Sequence, residues 1–318
     1  MKAAVVDELG APPVFRDFED PQPTDGEVLV AVTASALTNF TKLRAAGKHY
    51  SSTTAPPFVP GIDGIGRLDD GRRVYFLFPR APFGGMAETA VVPAFRCIPV
   101  PDGVDDVTLA AIADPGMSSW AALEVRADLV PGETVLINGA TGTAGGLAVQ
   151  VAKHLGAAKV IVAGRSRAAL DALLDHGADE IIDLSEGDRL DATLRESFAR
   201  GVDVVLDYLW GPSAEAILTA AANAGRGDHP LRFIQIGTAS AATIALPGAL
   251  LHSSAIEIKG SGTGAVSPKA IGGILAKLMD AASSANFQVA TRAFPLAHVE
   301  EAWAMEAGTP RIVLTTGH

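Results

Sequence analysis

Thr134-Val135-Leu136-Ile137-Asn138, followed by Gly139-Ala140-Thr141-Gly142-Thr143-Ala144-Gly145-Gly146, is the stretch on which the fold turns. The first five residues are an apolar run of strand length, and the next eight a glycine-rich turn. Apolar residues at helical spacing follow over 147–155, and a second apolar run over 159–163 completes a βαβ unit of about thirty residues. In that setting glycine allows the tight turn and the close approach of backbone to ligand, and a helix N-terminus faces the pyrophosphate of a dinucleotide. Thr141, Gly142, Thr143, Ala144 and Gly145 are the candidate contacts.

An NAD site places Asp or Glu about twenty residues beyond the glycines, where it accepts from the ribose 2′-hydroxyl. That count from Gly145 lands on Gly164-Arg165-Ser166-Arg167, which holds no carboxylate. Two guanidiniums and a hydroxyl suit a 2′-phosphate, because arginine presents a fork of charged donors. The cofactor expected is therefore NADPH, with Arg165, Ser166 and Arg167 at the phosphate. The alternative is that both arginines are solvated residues opening the next helix, with Asp171 an ordinary surface residue.

Composition narrows the class. The chain has 318 residues, 48% of them hydrophobic, enough for two domains with sizeable cores. A formal charge of −11 without any basic block argues against a nucleic-acid partner. Cys97 is the only cysteine, so neither an intramolecular disulfide nor a multi-cysteine zinc site can form. The N-terminus reads as a first strand rather than a signal peptide, and no apolar run reaches the roughly eighteen residues of a membrane span. A soluble, cytoplasmic protein without a membrane partner is expected. The seven histidines, at 49, 154, 176, 229, 252, 298 and 318, lack paired-ligand spacing, so no metal is expected.

About the first hundred residues read as β-rich, with short runs at 28–32, 73–78 and 87–92 between prolines and glycines. From Leu109 strands alternate with helices. Further strands are expected at 181–183, 202–208, 232–237 and 255–260, with helices at 189–199, 213–222 and 247–252. These complete an α/β fold with a doubly wound parallel sheet of six strands. The expected domains are 1–114, 115–262 and a returning segment 263–318, which carries a helix at 297–306 and a strand at 311–314. Ile236 and Gly237 end one strand and Gly260, Ser261 and Gly262 another, at the carboxyl edge where open α/β sheets bind ligands.

Several motifs stand in an order that spans the chain: Pro60-Gly61-Ile62-Asp63-Gly64-Ile65-Gly66, Gly84-Gly85-Met86-Ala87-Glu88, Pro99-Val100-Pro101-Asp102-Gly103, Gly116-Met117-Ser118-Ser119-Trp120, the turn at 139–146, and Arg311-Ile312-Val313-Leu314. Together they resemble the medium-chain dehydrogenase/reductase superfamily, in its zinc-independent quinone oxidoreductase (zeta-crystallin-like) branch. The resemblance implies a GroES-like β-rich domain split around a Rossmann domain. It implies hydride transfer from NADPH to an electrophilic small-molecule acceptor, either a quinone or an α,β-unsaturated carbonyl. It also implies a homodimer through the last Rossmann strand, and cofactor contacts from Tyr208 and Arg311. Trp210 reads equally well as helix–sheet packing, and Cys97 as a buried filler.

In the zinc enzymes of that superfamily the catalytic ligands fall at positions held here by Thr38, by Gly61-Ile62-Asp63 and by the neighbourhood of Gly116-Met117. Asp63 reads either as a functional acid or as a turn residue. The Asn and Asp that line the family's acceptor pocket fall on Thr38 and Thr41, or, one register along, on Asn39 for the first. Arg44-Ala45-Ala46-Gly47-Lys48-His49-Tyr50 is similar to a family segment from which, in related enoyl reductases, a tyrosine donates a proton. Tyr50 is thus the first candidate donor and His49 the second, unless Tyr50 only packs its loop. The short-chain reductase motif Tyr-x-x-x-Lys is absent, since Thr54, Pro79 and Pro212 follow the three tyrosines at that spacing. Without a strong acid at Thr38 or Thr41, a nucleotide-binding sensor or structural protein on the same fold is the second reading.

Overall fold

The computed structural model describes residues 1–49, 52–187, 189–225, 229–262, 264–305 and 310–317. The chain divides into two compact units, Met1–Asp114 with Leu275–His318, and Pro115–Ile274. The second boundary thus lies beyond residue 262, inside a helix.

The first unit is a GroES-like β structure. Its opening strands β1 (Lys2–Val5) and β2 (Val14–Asp17) pair antiparallel. The long β3 (Glu27–Leu37) leads into α1 (Asn39–Ala45), then β4 (Asp63–Arg67), β5 (Arg73–Leu77), β6 (Thr89–Pro93), β7 (Cys97–Pro99) and α2 (Asp106–Trp120). The expected strand at 28–32 runs on to Leu37 through Thr-Ala-Ser-Ala, a stretch of weak strand formers. Two buried hydroxyls hold it there: Thr33 Oγ1 donates to Ile65 O at 3.1 Å, and Ser35 Oγ to Asp63 O at 2.8 Å. Tertiary pairing overrides propensity here.

In the second unit the chain alternates: β8 (Thr134–Asn138), α3 (Thr143–His154), β9 (Lys159–Gly164), α4 (Arg167–Leu174), β10 (Glu180–Asp183), α5 (Arg189–Arg200), β11 (Val204–Asp207), α6 (Gly211–Asn223), β12 (Leu231–Gln235), α7 (Gly248–His252) and β13 (Ile256–Gly260). All described pairings in this sheet are parallel, in the order β10-β9-β8-β11-β12-β13. This is the Rossmann-like doubly wound sheet, with the strand order reversing between β8 and β11. Its central strands are apolar without alternation because both faces are covered: Val135, Leu136, Ile137, Val204, Val205 and Leu206 are fully buried. Phe198 of α5 and Ile217 of α6 pack with Leu136, Val205 and Phe233 in one core cluster.

The returning segment brings α8 (Pro268–Ala285), β14 (Thr291–Pro295), α9 (Val299–Ala304) and β15 (Arg311–Thr315). No element was expected over most of 263–286. Gly272, Gly273, Ser283 and Ser284 dilute helix propensity there. Yet Ile271, Ile274, Leu275, Leu278 and Met279 recur at helical spacing and are buried. The expected helix at 297–306 is a 3₁₀ turn, Leu296–His298, followed by α9. β15 pairs with β14 and lies antiparallel against β3, completing the sheet β14-β15-β3-β4-β5-β7, with β6 also on β3. Among the described residues no helix is long and apolar enough to cross a membrane.

Phe198 has no exposed surface in the Rossmann core. Phe198→Ala is expected to cost about 3–5 kcal/mol, read as a lower urea midpoint.

Candidate functional site

Glycine chemistry builds a cradle at the carboxyl edge of β8. Gly139 adopts φ +90°, and its N–H and that of Ala140 both donate to Ala163 O, at 3.0 and 3.1 Å, tying the turn to β9. A Cβ on Gly145 would stand 2.4 Å from Gly139 O, so only glycine lets α3 press onto the turn. Gly142, at the N-cap, offers no capping side chain, and a Cβ there would meet nothing nearer than Gly139 O at 3.7 Å. The first turn of a twelve-residue helix therefore faces open space that an anion can take. These residues fit the pyrophosphate of a dinucleotide.

Beside the cradle, β9 ends at Gly164. Ser166 caps α4, its Oγ accepting from Ala169 N–H at 3.4 Å. Arg167 pairs with Asp171 at 2.9 Å, an exposed i,i+4 contact. Asp171 is thus an exposed surface residue paired with Arg167. No salt bridge joins Arg165, which is exposed, to a described residue.

At the sheet's switch point Asp207 is fully buried. Its Oδ1 accepts from Asn138 Nδ2 at 2.7 Å and from the Leu209 and Trp210 N–H groups, both at 3.1 Å. Burial raises its pKa, and these donors pull it back. The main-chain oxygen of Asp207 accepts from Ile236 and Gly237 N–H. Gly237 sits so close to Tyr208 that a Cβ would stand 2.5 Å from Tyr208 O. Tyr208 turns its phenol to Ser119, 2.9 Å away, and burial pushes its pKa up. Trp210, at φ +59°, lays its ring against the core, 6.2 Å from Phe233. Ser261 N–H donates to Gln235 O, and Gly260 O accepts from Arg126. The carboxyl ends of the strands thus gather the cradle with Tyr208, Ile236, Gly237, Gly260, Ser261 and Gly262.

The remaining candidates belong to the other unit. Thr38 caps α1, its Oγ1 accepting from Thr41 N–H at 2.9 Å and lying 3.1 Å from Thr41 Oγ1. Asn39 is exposed at the first helical position. His49 stands edge-on to Phe40, ring centroids 4.6 Å apart. Burial, and then the Arg44 charge, lower its pKa and favour the neutral imidazole. Tyr50 lies outside the described residues. Arg311, expected at the cofactor, is a buried residue of β15 whose Nη2 meets Asp114 at 3.3 Å, and its Nε has no partner among the described residues.

Asp63 is no turn residue. It opens β4, is buried, and accepts from Tyr75 Oη at 3.0 Å on Oδ2, while Oδ1 has no partner among the described residues. Burial, and then the Asp114 charge, push its pKa up to about 7 against the pull of Tyr75 and Arg311. Sequence placed it only through its neighbours in a Gly-x-Asp-Gly motif, which says nothing of burial. Cys97 is half-buried in β7, its thiol pushed up to about 11 by burial, so it is a poor nucleophile. Among the described residues no cluster of His, Cys, Asp and Glu could hold a metal ion.

The family model described as zinc-binding dehydrogenase matches residues 144–280. The chain is 30% identical over 313 residues to the probable NADPH-dependent quinone reductase tdiC of Emericella nidulans, covering 84% of this chain and 86% of that one. It is 27% identical over 239 residues to the human quinone oxidoreductase, 71% of each chain. The structure of the quinone oxidoreductase from Thermus thermophilus, described with its NADPH complex, superposes with a TM-score of 0.82 at 30% identity, over 99% of this chain and 100% of that one.

A carboxyl whose pKa rises from 3.8 to about 7 on folding holds its proton more tightly in the native state between those values. Native stability is therefore lost as pH climbs through that window. Asp63→Asn keeps an acceptor for Tyr75 and removes the charge. Its urea midpoint is expected to exceed that of the parent at pH 8, by the equivalent of roughly 1–3 kcal/mol, and to differ little at pH 4.

Proposed function

The chain belongs to the medium-chain dehydrogenase/reductase superfamily, in its quinone-oxidoreductase-like branch, and from that premise we propose that it is a zinc-independent NADPH-dependent reductase of quinones or α,β-unsaturated carbonyls. The glycine cradle beside a strand end that carries Arg165 and Ser166 but no carboxylate is what supports this most directly. When bound, NADPH supplies a hydride, so that acceptor, NADPH and one proton yield reduced acceptor and NADP⁺.

The protein's own share is binding and positioning. Backbone N–H groups at 142–145 hold the pyrophosphate. Arg165 takes the 2′-phosphate, with Ser166 and Arg167 beside it once they give up part of their local bonding. Tyr208, Gly237 and Gly260–Gly262 border the nucleotide along the strand ends. On the acceptor side Thr38 accepts in the α1 cap through a lone pair and keeps an O–H, shared with Thr41, so Thr38, Asn39, His49 and Tyr50 are the groups that orient the carbonyl. A neutral His49 donates a hydrogen bond rather than a full proton, so protonation falls to Tyr50 or solvent.

The absence of a strong acid at Thr38 and Thr41 favours a second reading, a nucleotide-binding sensor of low turnover. Tight NADPH binding without oxidation by any quinone or enone would select it. As a homodimer, the protein would cover β13, which lies at the end of the Rossmann sheet's strand order and leaves Ile258 36% exposed.

Steady-state oxidation of NADPH and NADH against a panel of quinones and enones is expected to show turnover with preference for NADPH. Arg165→Ala should raise the KM for NADPH about tenfold and leave that for NADH unchanged, a loss of one charge-assisted contact. In sedimentation the protein should run as a dimer, and Ile258→Glu as a monomer.

A further inference from the structure

A cavity in the first unit combines aromatic walls with two guanidiniums. Its volume is about 150 Å³, and Thr41, Arg44, Ser52, Phe58, Phe78 and Arg96 are among the residues that line it. No Asp or Glu stands among its described lining residues. In a chain with a net charge of −11, the formal charges on this described lining are both positive.

Arg44 is half-buried, and desolvation lowers its pKa. No salt bridge joins it to a described residue, and its guanidinium rests 5.8 Å from the Phe40 ring centroid. A desolvated cation without a counter-ion gains most from an arriving anion. Arg96 is held in place by its neighbours. Its Nη1 donates to Phe78 O at 2.9 Å, and its guanidinium stands 5.9 and 5.3 Å from the Phe78 and Phe95 ring centroids. Phe78 adopts φ +50°, a region disfavoured for a side chain of this size, while its N–H donates to Ile62 O at 2.6 Å. The pocket wall is thus held in a costly conformation that puts the Phe78 carbonyl on Arg96.

We infer that this cavity binds a single-ring acceptor bearing a carboxylate, with the ring against Phe58 and Phe78 and the carboxylate on Arg44 and Arg96. A pocket of about 150 Å³ matches the volume that one benzene ring fills. Arginine matches a carboxylate with parallel N–H donors, whereas a neutral quinone leaves both guanidiniums without a counter-ion. The word acceptor rests on the reductase reading; the carboxylate site itself does not.

The test uses the full chain and two probe pairs. Benzoate and benzamide, nearly equal in shape, are titrated by calorimetry without cofactor, and NADPH oxidation is followed with benzoquinone and carboxybenzoquinone. Benzoate is expected to bind at least about tenfold more tightly than benzamide, and carboxybenzoquinone to show a correspondingly lower KM. Arg44→Met and Arg96→Met should each shrink both ratios, and Arg44→Lys should keep part of them. Equal binding of benzoate and benzamide by the unmodified protein, which needs no variant to fold, overturns the assignment. So does a benzoate preference that survives both methionine variants. A benzoate preference lost in the variants, with no NADPH oxidation by any acceptor, upholds the carboxylate site and removes the reductase reading.

Discussion

The hydrogen bond from Asn138 Nδ2 to Asp207, 2.7 Å long and spanning 69 residues of sequence, joins the two central strands where the Rossmann sheet reverses its order. An isolated buried carboxylate costs several kcal/mol, so Asp207 must be surrounded by donors wherever the chain puts it. It draws them from Asn138 and from the amides of Leu209 and Trp210. That demand bends the chain out of β11, holds Trp210 at positive φ, and starts α6 at Gly211. The same turn leaves Tyr208 facing Ser119 and packed under Gly237. The carboxyl edge of the sheet follows from satisfying one carboxylate.

The first unit handles its buried carboxylate differently. Asp63 has Tyr75 on one oxygen and no partner among the described residues on the other, and Asp114 adds a like charge. Asp207 is held by several fixed dipoles, whereas Asp63 depends on one phenol and on the distant balance of Arg311 against Asp114. A protonation change near neutral pH is the physical consequence of that poorer solvation. One carboxylate shapes a turn; the other sits at the end of a strand pairing it does nothing to terminate.

The residues proposed for the acceptor are, among those described, weak acids and bases. Thr38 caps a helix, Asn39 is solvated, and His49 is biased towards neutrality. Such groups orient a carbonyl but do not replace a Lewis acid. That fits the proposed transfer to an electron-poor acceptor, for which positioning matters more than acid strength.

The fold was legible in sequence where its cause is local. The apolar run of β8, the glycines after it and the helical spacing of α3 all act within a few residues of one another, and strand, turn and helix appear where that pattern places them. The absence of a carboxylate after β9 is equally local. The apolar spacing of α8 was also present, but its glycines and serines argue the other way until tertiary burial decides. The length of β3, the inward ring of Trp210 and the burial of Asp63 and Arg311 were not local properties. Asp63 meets Tyr75 from 12 residues away, and Arg311 meets Asp114 across 197. Sequence alone determined the order of the Rossmann strands and the backbone cradle, because backbone preference is set by near neighbours. Only the tertiary structure decided which charges are desolvated and which side chains are already spent, because solvation depends on what the rest of the chain brings alongside.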